Sequence, residues 1–239
     1  MRAVLRDARP DVCALQEVWA NERRNVAADL ADELEMHWIW CRSAGEIGHA
    51  VLARWPIRGR LELPLPVAAG DVSRNALSCV VDTPDGGLPV TTTQLNSAPW
   101  DSATRCAQVR ALVGFLADRE REAYPIVLLG DMNAEPDSDE VRLLCGHKTA
   151  PAREGFVLVD AWRYAAEGAV PWTWDRENPH VAATMEPSSR IDYVLVAPPH
   201  NAPRGHVRAA RRIGEAPVRG HWASDHAGVL ADLEAVPAR

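Results

Sequence analysis

Apolar residues follow different spacings along this chain, and each spacing predicts a different kind of element. From 102 to 116 they recur every three or four residues, which predicts an amphipathic helix with Ser102 as its N-cap. The same spacing in 1–9 and 21–34 predicts two helices near the N-terminus. The run 126–129 is apolar at every position, as expected for a strand that is buried on both faces of a sheet.

Shorter apolar segments, several of them rich in β-branched residues, predict further strands. They cover residues 11–18, 37–41, 50–53, 60–67, 76–81, 90–95, 125–129, 191–196 and 229–233. A short helix is predicted at 138–145, and a strand or a turn at 157–162. Because strands come in pairs with a few helices between them, we expect an α/β (α+β) fold in which two packed sheets carry helices outside, within one domain spanning 1–239.

The composition is that of an ordinary globular protein, with 47% apolar and 25% charged residues. The net charge of −7 argues against a general nucleic-acid coat protein, because phosphate backbones are held mainly by lysine and arginine, but it allows a nuclease with a local basic groove. The five cysteines are odd in number and form no Cys-x-x-Cys pair, which indicates reduced thiols. No apolar run has the length of a membrane span and no signal-peptide core is present, so we expect a soluble cytoplasmic protein.

Two polar side chains follow the strand 125–129 closely. Asp131 and Asn133 come after Gly130, and residues two apart in an extended segment project the same way. A carboxylate in this place can orient or deprotonate a water molecule, and a carboxamide can donate a hydrogen bond to a phosphate oxygen. The alternative is purely structural: an Asx turn followed by the N-terminus of a helix, which the motif alone favours.

A second group combines His226 with acidic residues. Asp192 interrupts an otherwise apolar strand and needs a partner, because an unpaired buried charge is strongly unfavourable, and His226 is the obvious candidate. A carboxylate that fixes one ring nitrogen raises the basicity of the other, which suits the imidazole to general-base catalysis. Asp225, and Glu17 at the end of the strand 11–18, are carboxylates suited to a hard divalent cation. Taken singly, a histidine is more often a satisfied core or surface residue, and Glu17 a solvated strand-end charge.

Six short motifs, taken together and in this order, resemble the endonuclease/exonuclease/phosphatase superfamily. They are Leu15-Gln16-Glu17, Ala53-Arg54-Trp55-Pro56-Ile57, Thr93-Gln94-Leu95, Gly130-Asp131-Met132-Asn133, Arg190-Ile191-Asp192-Tyr193 and Ser224-Asp225-His226. The resemblance extends from residue 15 to residue 226 and implies a four-layer αββα, DNase I-like sandwich of two mainly antiparallel sheets. It also implies a Mg²⁺-dependent phosphoesterase, with Mn²⁺ as an alternative cation, that acts on a phosphoester of a small molecule or of a nucleic acid.

The resemblance also implies a role for each residue of the site. Glu17 would bind the metal, and Asp131 would orient the attacking water or assist the leaving group. Asn133 would hold the phosphate. His226, set in place by Asp192, would act as general base or stabilise the charge of the transition state.

The chain departs from the family pattern in two places. Many members carry at the position of Gln94 a histidine that contacts the phosphate or donates a proton. Gln94 is expected to bind the substrate in its place, because it can still donate a hydrogen bond, but it cannot titrate. Members also have a first strand that ends in an asparagine, whereas the sequence here starts with the predicted helix 1–9 that normally follows this strand. Loss of a central strand would expose two sheet edges, a liability that proteins usually cover. We therefore expect either self-association at that edge or a rearranged N-terminus.

Three further residues are candidates for contact with the substrate. Arg54 and Arg190 each belong to a motif and are expected to contact phosphate. Trp174 lies in the tryptophan- and proline-rich loop 171–187, where its ring either stacks on a base, a sugar or a lipid chain, or packs within the loop. The arginine-rich segment 204–219 is either a phosphate-facing rim or a solvated loop.

Two hypotheses of function remain open on the sequence alone. In the first, the chain is a Mg²⁺-dependent hydrolase of phosphodiesters or phosphomonoesters in which His226 and Asp192 activate water. In the second, a diverged family member uses the same pocket for non-hydrolytic or metal-independent chemistry, or to bind a small molecule. The complete acid–base set favours the first hypothesis; Gln94 and the lack of the usual first strand favour the second.

Overall fold

The computed structural model describes residues 1–120, 125–198 and 204–235. Within these ranges the chain forms eleven strands and five α-helices. The strands are β1 Val12–Trp19, β2 His37–Ala44, β3 Ile47–Ala53, β4 Ile57–Leu65, β5 Arg74–Thr83, β6 Gly86–Gln94, β7 Val127–Asp131, β8 Val159–Asp160, β9 Asp192–Val196, β10 Val207–Ile213 and β11 Gly228–Leu233. The helices are α1 Arg2–Ala8, α2 Val26–Leu34, α3 Ser102–Glu120, α4 Asp139–Cys145 and α5 Pro179–Ala182, with a 3₁₀ turn at Ala161–Tyr164.

The largest sheet has six strands in the order β4-β5-β6-β7-β9-β8. In this sheet β6 and β7 run parallel, with Val90 paired to Val127, and the other neighbours are antiparallel. The parallel pair is connected through α3, because two parallel strands need a long crossover rather than a tight turn. A second, antiparallel sheet has the order β1-β3-β2, and β10 pairs with β11 in a separate antiparallel ribbon.

Three apolar clusters set the order of the layers. Between the two larger sheets, Val51 of β3 packs in one cluster with Leu77 of β5. On the outer face of the six-stranded sheet, Leu112 of α3 belongs to the cluster that contains Leu128 of β7. Helices α1 and α2 bury their apolar sides in a third cluster with β1 and β3. The layers therefore run helix, sheet, sheet, helix, which confirms the predicted α/β class and the DNase I-like sandwich.

The sequence prediction missed strand β10, as it missed the short helix α5 within the loop 171–187. Strand β10 lies in the segment 204–219, which the sequence alone assigns to a rim or a loop. Val207 and Ala210 are buried against the six-stranded sheet, yet they are three residues apart, because an irregularity just after Val207 breaks the two-residue alternation. Arg208 and Arg211 are exposed on this edge strand, where charged side chains oppose unwanted pairing with another strand.

The helices agree with the sequence pattern more closely than the strands do. Helix α1 forms at the predicted place, so the expected alternative of a rearranged N-terminus is not what the structure shows. Helix α3 starts at Ser102 as predicted and continues beyond residue 116.

Across the described residues, none of the helices combines the length and the apolar character that a bilayer crossing requires. All five cysteines are free thiols, as their number and spacing predict.

The outer edges of strands β1 and β11 border the same groove, which we call the slot. In the described part of the chain, β1 pairs only with β3 and β11 pairs only with β10. Two cavities, of about 560 and about 330 Å³, lie along this slot and share part of their lining. Val12 of β1 and Val229 of β11 line both cavities, as do Leu129 and Val194 of the six-stranded sheet. The larger cavity also reaches the strand ends that carry the polar motifs.

Candidate active site

Three adjacent strands of the six-stranded sheet carry polar residues at their ends, on the same side of the sheet. Gln94 ends β6, Asp131 ends β7 and Asp192 begins β9. The registers pair Gln94 with Asp131 and Asp131 with Asp192, so neighbouring backbones in this row are about 4.8 Å apart. Gly130 makes the pairing with β6 close, because a Cβ atom there would lie 2.1 Å from the carbonyl oxygen of Thr93. The row of polar side chains is therefore fixed by the sheet itself.

Glu17 reaches the same place from the opposing sheet. It lies in an irregularity of β1 between Leu15 and Val18, and its φ of 55° is in the left-handed region. Side chains other than glycine rarely adopt this backbone, and such strain concentrates at functional sites. The carboxylate meets the larger sheet there, because its Oε1 accepts a hydrogen bond of 2.7 Å from Gln94 Nε2. A bulge thus re-aims one carboxylate into the cavity.

Asp131 is 4% exposed and accepts three hydrogen bonds. Its Oδ1 accepts from the backbone N–H of Asn133 at 2.9 Å, and its Oδ2 accepts from Gln94 Nε2 and Asn133 Nδ2, both at 3.2 Å. The Asx turn expected as the structural alternative is present, and it coexists with a carboxylate that lines the cavity. Burial raises the pKa of Asp131, and the nearby charge of Asp192 raises it further. This carboxylate is therefore suited to accept a proton near neutral pH.

The side chain of Asn133, like that of Asp131, is held by hydrogen bonds within the protein. Its φ of 47° is left-handed, a conformation that asparagine tolerates better than most residues. Its Nδ2 donates to the carbonyl oxygen of Leu95 at 3.0 Å as well as to Asp131. The amide hydrogens are thus engaged within the protein, and a phosphate oxygen has to replace one of these acceptors before Asn133 can donate to it.

The structure brings His226 and Asp192 together as the sequence predicts. The ring Nδ1 lies 2.8 Å from Asp192 Oδ2, which leaves Nε2 as the nitrogen available to a substrate. Burial lowers the pKa of His226, but the charge and hydrogen bond of Asp192, together with the charges of Asp131 and Asp225, raise it to about 9. The imidazole is therefore protonated at neutral pH and is a cation among carboxylates.

Residues of the loop 171–187 make contacts that hold Asp192 and His226 in position. Thr173 Oγ1 accepts from the backbone N–H of Asp192 at 3.1 Å, and the Trp174 ring meets the His226 ring edge-on, with 4.9 Å between centroids. Asn178 is buried and donates to two backbone carbonyls of the turn that carries His226, at 2.9 and 3.1 Å. Thr173 and Asn178 were not predicted, because the loop has no periodic pattern that marks which of its residues face inward.

Most of the predicted site residues line one cavity of about 560 Å³. They are Glu17, Gln94, Asp131, Asn133, Trp174, Asp192, Asp225 and His226. Asp225 is exposed and its Oδ1 accepts from the Ser224 hydroxyl at 3.1 Å. Trp174 packs against His226 and also lines the cavity, so its stacking on a substrate stays a prediction.

The two arginines predicted to contact phosphate do not line this cavity. Arg54 lies at the opposite end of β1 from Glu17. There its Nη1 pairs with Asp11 Oδ1 at 3.2 Å and its Nη2 donates to the carbonyl oxygen of Arg9 at 3.2 Å. The expectation for Arg54 is corrected, because the strand separates its motif from the site by its whole length.

Arg190 is drawn into the fold rather than towards a ligand. Its Nη2 pairs with Asp160 Oδ2 at 2.6 Å, and both side chains are nearly inaccessible to solvent. The guanidinium also lies 4.5 Å from the ring centroid of Tyr193. Arg190 is therefore occupied by a buried ion pair beneath the sheet, and its expected phosphate contact is corrected as well.

Sequence reasoning missed Arg74, which is 9% exposed and donates from Nη1 to Gln94 Oε1 at 2.5 Å. Strand β5 gave only a weak signal, because it is buried on both faces from Ala76 to Val81 and no alternation marks the side on which Arg74 lies. An arginine at a buried position of a strand needs polar partners, but the sequence does not show which residues these are.

The carboxylates of the cavity suit a hard divalent cation. Magnesium is usually bound through one or two carboxylates, with water and phosphate oxygens completing its shell. Across the described ranges, no three His, Cys, Asp or Glu side chains are already grouped around one point. Glu17 is the best-placed ligand, because it is exposed at the cavity and, within those ranges, pairs with no lysine or arginine. The residues present therefore fit a cation held by few protein ligands.

A family sequence model agrees with the motifs found in this site. The model described as "Endonuclease/Exonuclease/phosphatase family" matches residues 1–226. No curated protein matches the chain in sequence.

Several solved structures share the fold. A truncated TDP2 from Caenorhabditis elegans is 17% identical with a TM-score of 0.73, over 95% of this chain and 86% of that one. An endonuclease/exonuclease/phosphatase from Beutenbergia cavernae is 25% identical with a TM-score of 0.73, over 98% of this chain. This chain spans only 65% of the length of that protein. The human Nocturnin catalytic domain with bound sulfate is 17% identical with a TM-score of 0.69, over 95% of this chain and 83% of that one.

Proposed function

Because this chain belongs to the endonuclease/exonuclease/phosphatase family, we propose that it hydrolyses phosphate esters with the help of Mg²⁺, Mn²⁺ being the alternative cation. The observation that carries the proposal is the His226–Asp192 pair, 2.8 Å apart, in a cavity that Glu17 and Asp131 also line. Hydrolysis at phosphorus needs a cationic group for the phosphoryl charge and a base for the attacking water. The cavity offers both within one set of side chains.

In the proposed reaction a water molecule attacks phosphorus, and the bond from phosphorus to the leaving oxygen breaks. The leaving oxygen departs as an anion and takes a proton from solvent. Asp131, whose pKa burial raises, orients this water and takes its proton. His226 is protonated near neutral pH, so its imidazolium neutralises charge on the phosphoryl oxygens in the transition state. Asp192 holds the ring in position, and Asn133 donates to a phosphoryl oxygen once the substrate replaces one of its present acceptors.

Glu17 would hold the cation, with Asp225 as a second ligand. A bound Mg²⁺ supplies positive charge next to the phosphate oxygens. The contact that Glu17 makes with Gln94 Nε2 is a hydrogen bond from a neutral amide, so the carboxylate keeps its charge and further lone pairs for a cation.

A metal-independent or non-hydrolytic role in the same cavity is the second candidate, and one observation favours it. The amino group of Gln94 lies 2.7 Å from Glu17 Oε1 and 3.2 Å from Asp131 Oδ2. A neutral amide therefore bridges the carboxylates of the two sheets. Metal dependence of the activity separates the two candidates.

The first prediction concerns the activity itself. The purified chain is expected to release nitrophenolate from bis(para-nitrophenyl) phosphate or from para-nitrophenyl phosphate when Mg²⁺ is present, and to stop when EDTA is added. The preferred ester shows whether the substrate class is a diester or a monoester, and a labelled oligonucleotide in the same panel tests nucleic acid. Turnover that persists in EDTA would support the second candidate. No turnover of any ester with Mg²⁺ or Mn²⁺ would refute the proposed function.

We propose further that two copies of the chain associate along the slot between β1 and β11. Among the described residues no strand pairs with the outer edge of β1 or of β11, and these edges support the proposal because they offer backbone donors and acceptors to another strand. The apolar side chains that line the slot, such as Leu129 and Val229, gain by being covered.

Light scattering after size-exclusion chromatography tests this association. Leu230→Lys places a charge in the slot, since Leu230 lines both cavities, and is expected to shift the wild-type dimer to a monomer. Leu61→Lys is the matched control, because Leu61 is 45% exposed on the edge strand β4 of the other sheet. A wild-type chain that stays monomeric as its concentration rises argues against the slot as an interface.

A further inference from the structure

We propose that Arg74 is a positioning residue that fixes the carboxamide of Gln94, so that its amino group holds the carboxylates of Glu17 and Asp131 in place. The effect of Arg74 on catalysis rests on the proposed phosphoesterase function. The arrangement of the side chains does not, and it can be tested without any substrate.

The contacts form a short chain from the interior of the sheet to the cavity. Arg74 Nη1 donates to Gln94 Oε1 at 2.5 Å, and Nη2 lies 3.5 Å from the Ser97 hydroxyl. Gln94 Nε2 then donates to Glu17 Oε1 at 2.7 Å and to Asp131 Oδ2 at 3.2 Å. Arg74 and Gln94 are 9% and 5% exposed, so water cannot substitute freely for these partners.

The chemistry of the groups allows only one orientation of this amide. A guanidinium donates hydrogen bonds and accepts none, whereas an ionised carboxylate only accepts them. The carbonyl oxygen of Gln94 must therefore face Arg74, and its amino group must face Glu17 and Asp131. In the flipped orientation a donor would face the guanidinium and an acceptor would face both carboxylates, so every contact would be lost.

The burial of Arg74 is costly, because desolvation lowers its pKa although the charges of Glu17 and Asp131 oppose this shift. Within the described ranges, no carboxylate lies at salt-bridge distance from it, and its Nε is buried without a hydrogen-bond partner. A buried cation without a direct ion pair is costly, and such groups persist where a site needs them. Here the positive charge polarises the amide of Gln94, which strengthens the hydrogen bonds that its amino group donates.

The consequence is a link between the two sheets at the cavity. Glu17 belongs to the three-stranded sheet and Asp131 to the six-stranded sheet. Gln94 joins their carboxylates, and Arg74 prevents the joining amide from turning. When a residue that contacts a metal ligand, but does not bind the metal itself, is replaced, metal affinity or activity usually changes by about 10- to 100-fold.

The decisive measurement is the NMR signal of the Gln94 side-chain amide, assigned by its absence in Gln94→Ala. In the wild-type chain we expect two well-dispersed and slowly exchanging amide protons. Arg74→Met, which keeps the length of the side chain but removes its donors, should bring these signals towards those of a free amide. Arg58→Met is the matched control, because Arg58 is an exposed arginine that pairs with Asp82 at the other end of β5. Unchanged Gln94 signals in Arg74→Met would overturn the proposal.

Kinetics provide the second readout. Arg74→Met should lower kcat by about 10- to 100-fold, and Arg74→Lys, which keeps one donor and the charge, should recover part of the loss. In a Gln94→Ala background the Arg74→Met change should have little further effect, because Arg74 acts through Gln94. Fully additive losses would overturn the proposal. If Arg74→Met does not fold, Arg74→Lys supplies the same comparison. If the wild-type chain has no hydrolytic activity, the proposed function is refuted. The NMR signals of the Gln94 amide still test the positioning role of Arg74 in that case.

Discussion

Replacing His226 with alanine is expected to lower kcat/KM for phosphoester hydrolysis by about 10³-fold, within the range usual for a group that handles protons or charge in the transition state. The imidazolium is the cationic side chain that the loops set among carboxylates, 2.8 Å from Asp192. Without it, a phosphate anion would meet the charges of Asp131 and Asp192 with one positive group fewer to offset them. Steady-state kinetics on the preferred nitrophenyl ester measure the loss.

A matched control and the pH dependence sharpen this prediction. His221→Ala removes an exposed imidazole outside the cavity and should leave kcat/KM unchanged. Because the raised pKa of His226 is about 9, the protonated form dominates below that pH, and the wild-type rate should fall as the pH rises through about 9. A rate that climbs through the same range would assign the neutral imidazole as general base instead. Full activity of His226→Ala would contradict the whole site.

Replacing Glu17 with glutamine is expected to raise the Mg²⁺ concentration needed for half-maximal activity by about 10-fold or more, and to lower the maximal rate. Glutamine keeps the size of the side chain but loses the charge that attracts a hard cation. Its carbonyl oxygen can still accept the hydrogen bond from Gln94 Nε2, so the change removes the charge and keeps that contact. Titration of the rate with Mg²⁺ gives the shift, and the electron paramagnetic resonance signal of bound Mn²⁺ gives the affinity independently of turnover.

Two comparisons decide whether this effect belongs to Glu17 alone. Glu22→Gln changes an exposed carboxylate outside the cavity and should leave the Mg²⁺ dependence unchanged. Asp225→Asn should have a smaller effect than Glu17→Gln, because Asp225 is proposed only as the second ligand of the cation. An unchanged Mg²⁺ requirement in Glu17→Gln would rule out Glu17 as the metal ligand and would favour the metal-independent candidate.

Local sequence was sufficient where a residue's strand also fixes its direction. Asp131 follows a run of apolar residues that can only be a buried strand, so its place at the edge of the sheet follows from the run itself. Asp192 starts the neighbouring strand, and its need for a partner correctly indicated His226 although 34 residues separate the two. These residues were predictable because a buried carboxylate has few ways to be satisfied.

For long charged side chains, a position next to a motif did not predict which residues they contact. Arg54 and Arg190 both lie beside motif residues, yet one pairs with Asp11 and the other with Asp160. A guanidinium on a flexible stem goes to whichever acceptor the fold places within reach, and the sequence does not reveal that acceptor. Arg74 was missed for the same reason, since its partner Gln94 is 20 residues away on the next strand.

The sequence by itself determined the helices and strands, the buried strand that ends at Asp131, and the pairing of Asp192 with His226. These follow from periodicity and from the cost of burying charge, both of which are local properties. Only the tertiary structure decided that a bulge turns Glu17 towards Gln94, that Arg74 lies behind that amide, and that β1 and β11 border an open slot. Such features depend on the register between distant strands, and register is set by the packing of whole sheets rather than by any single segment.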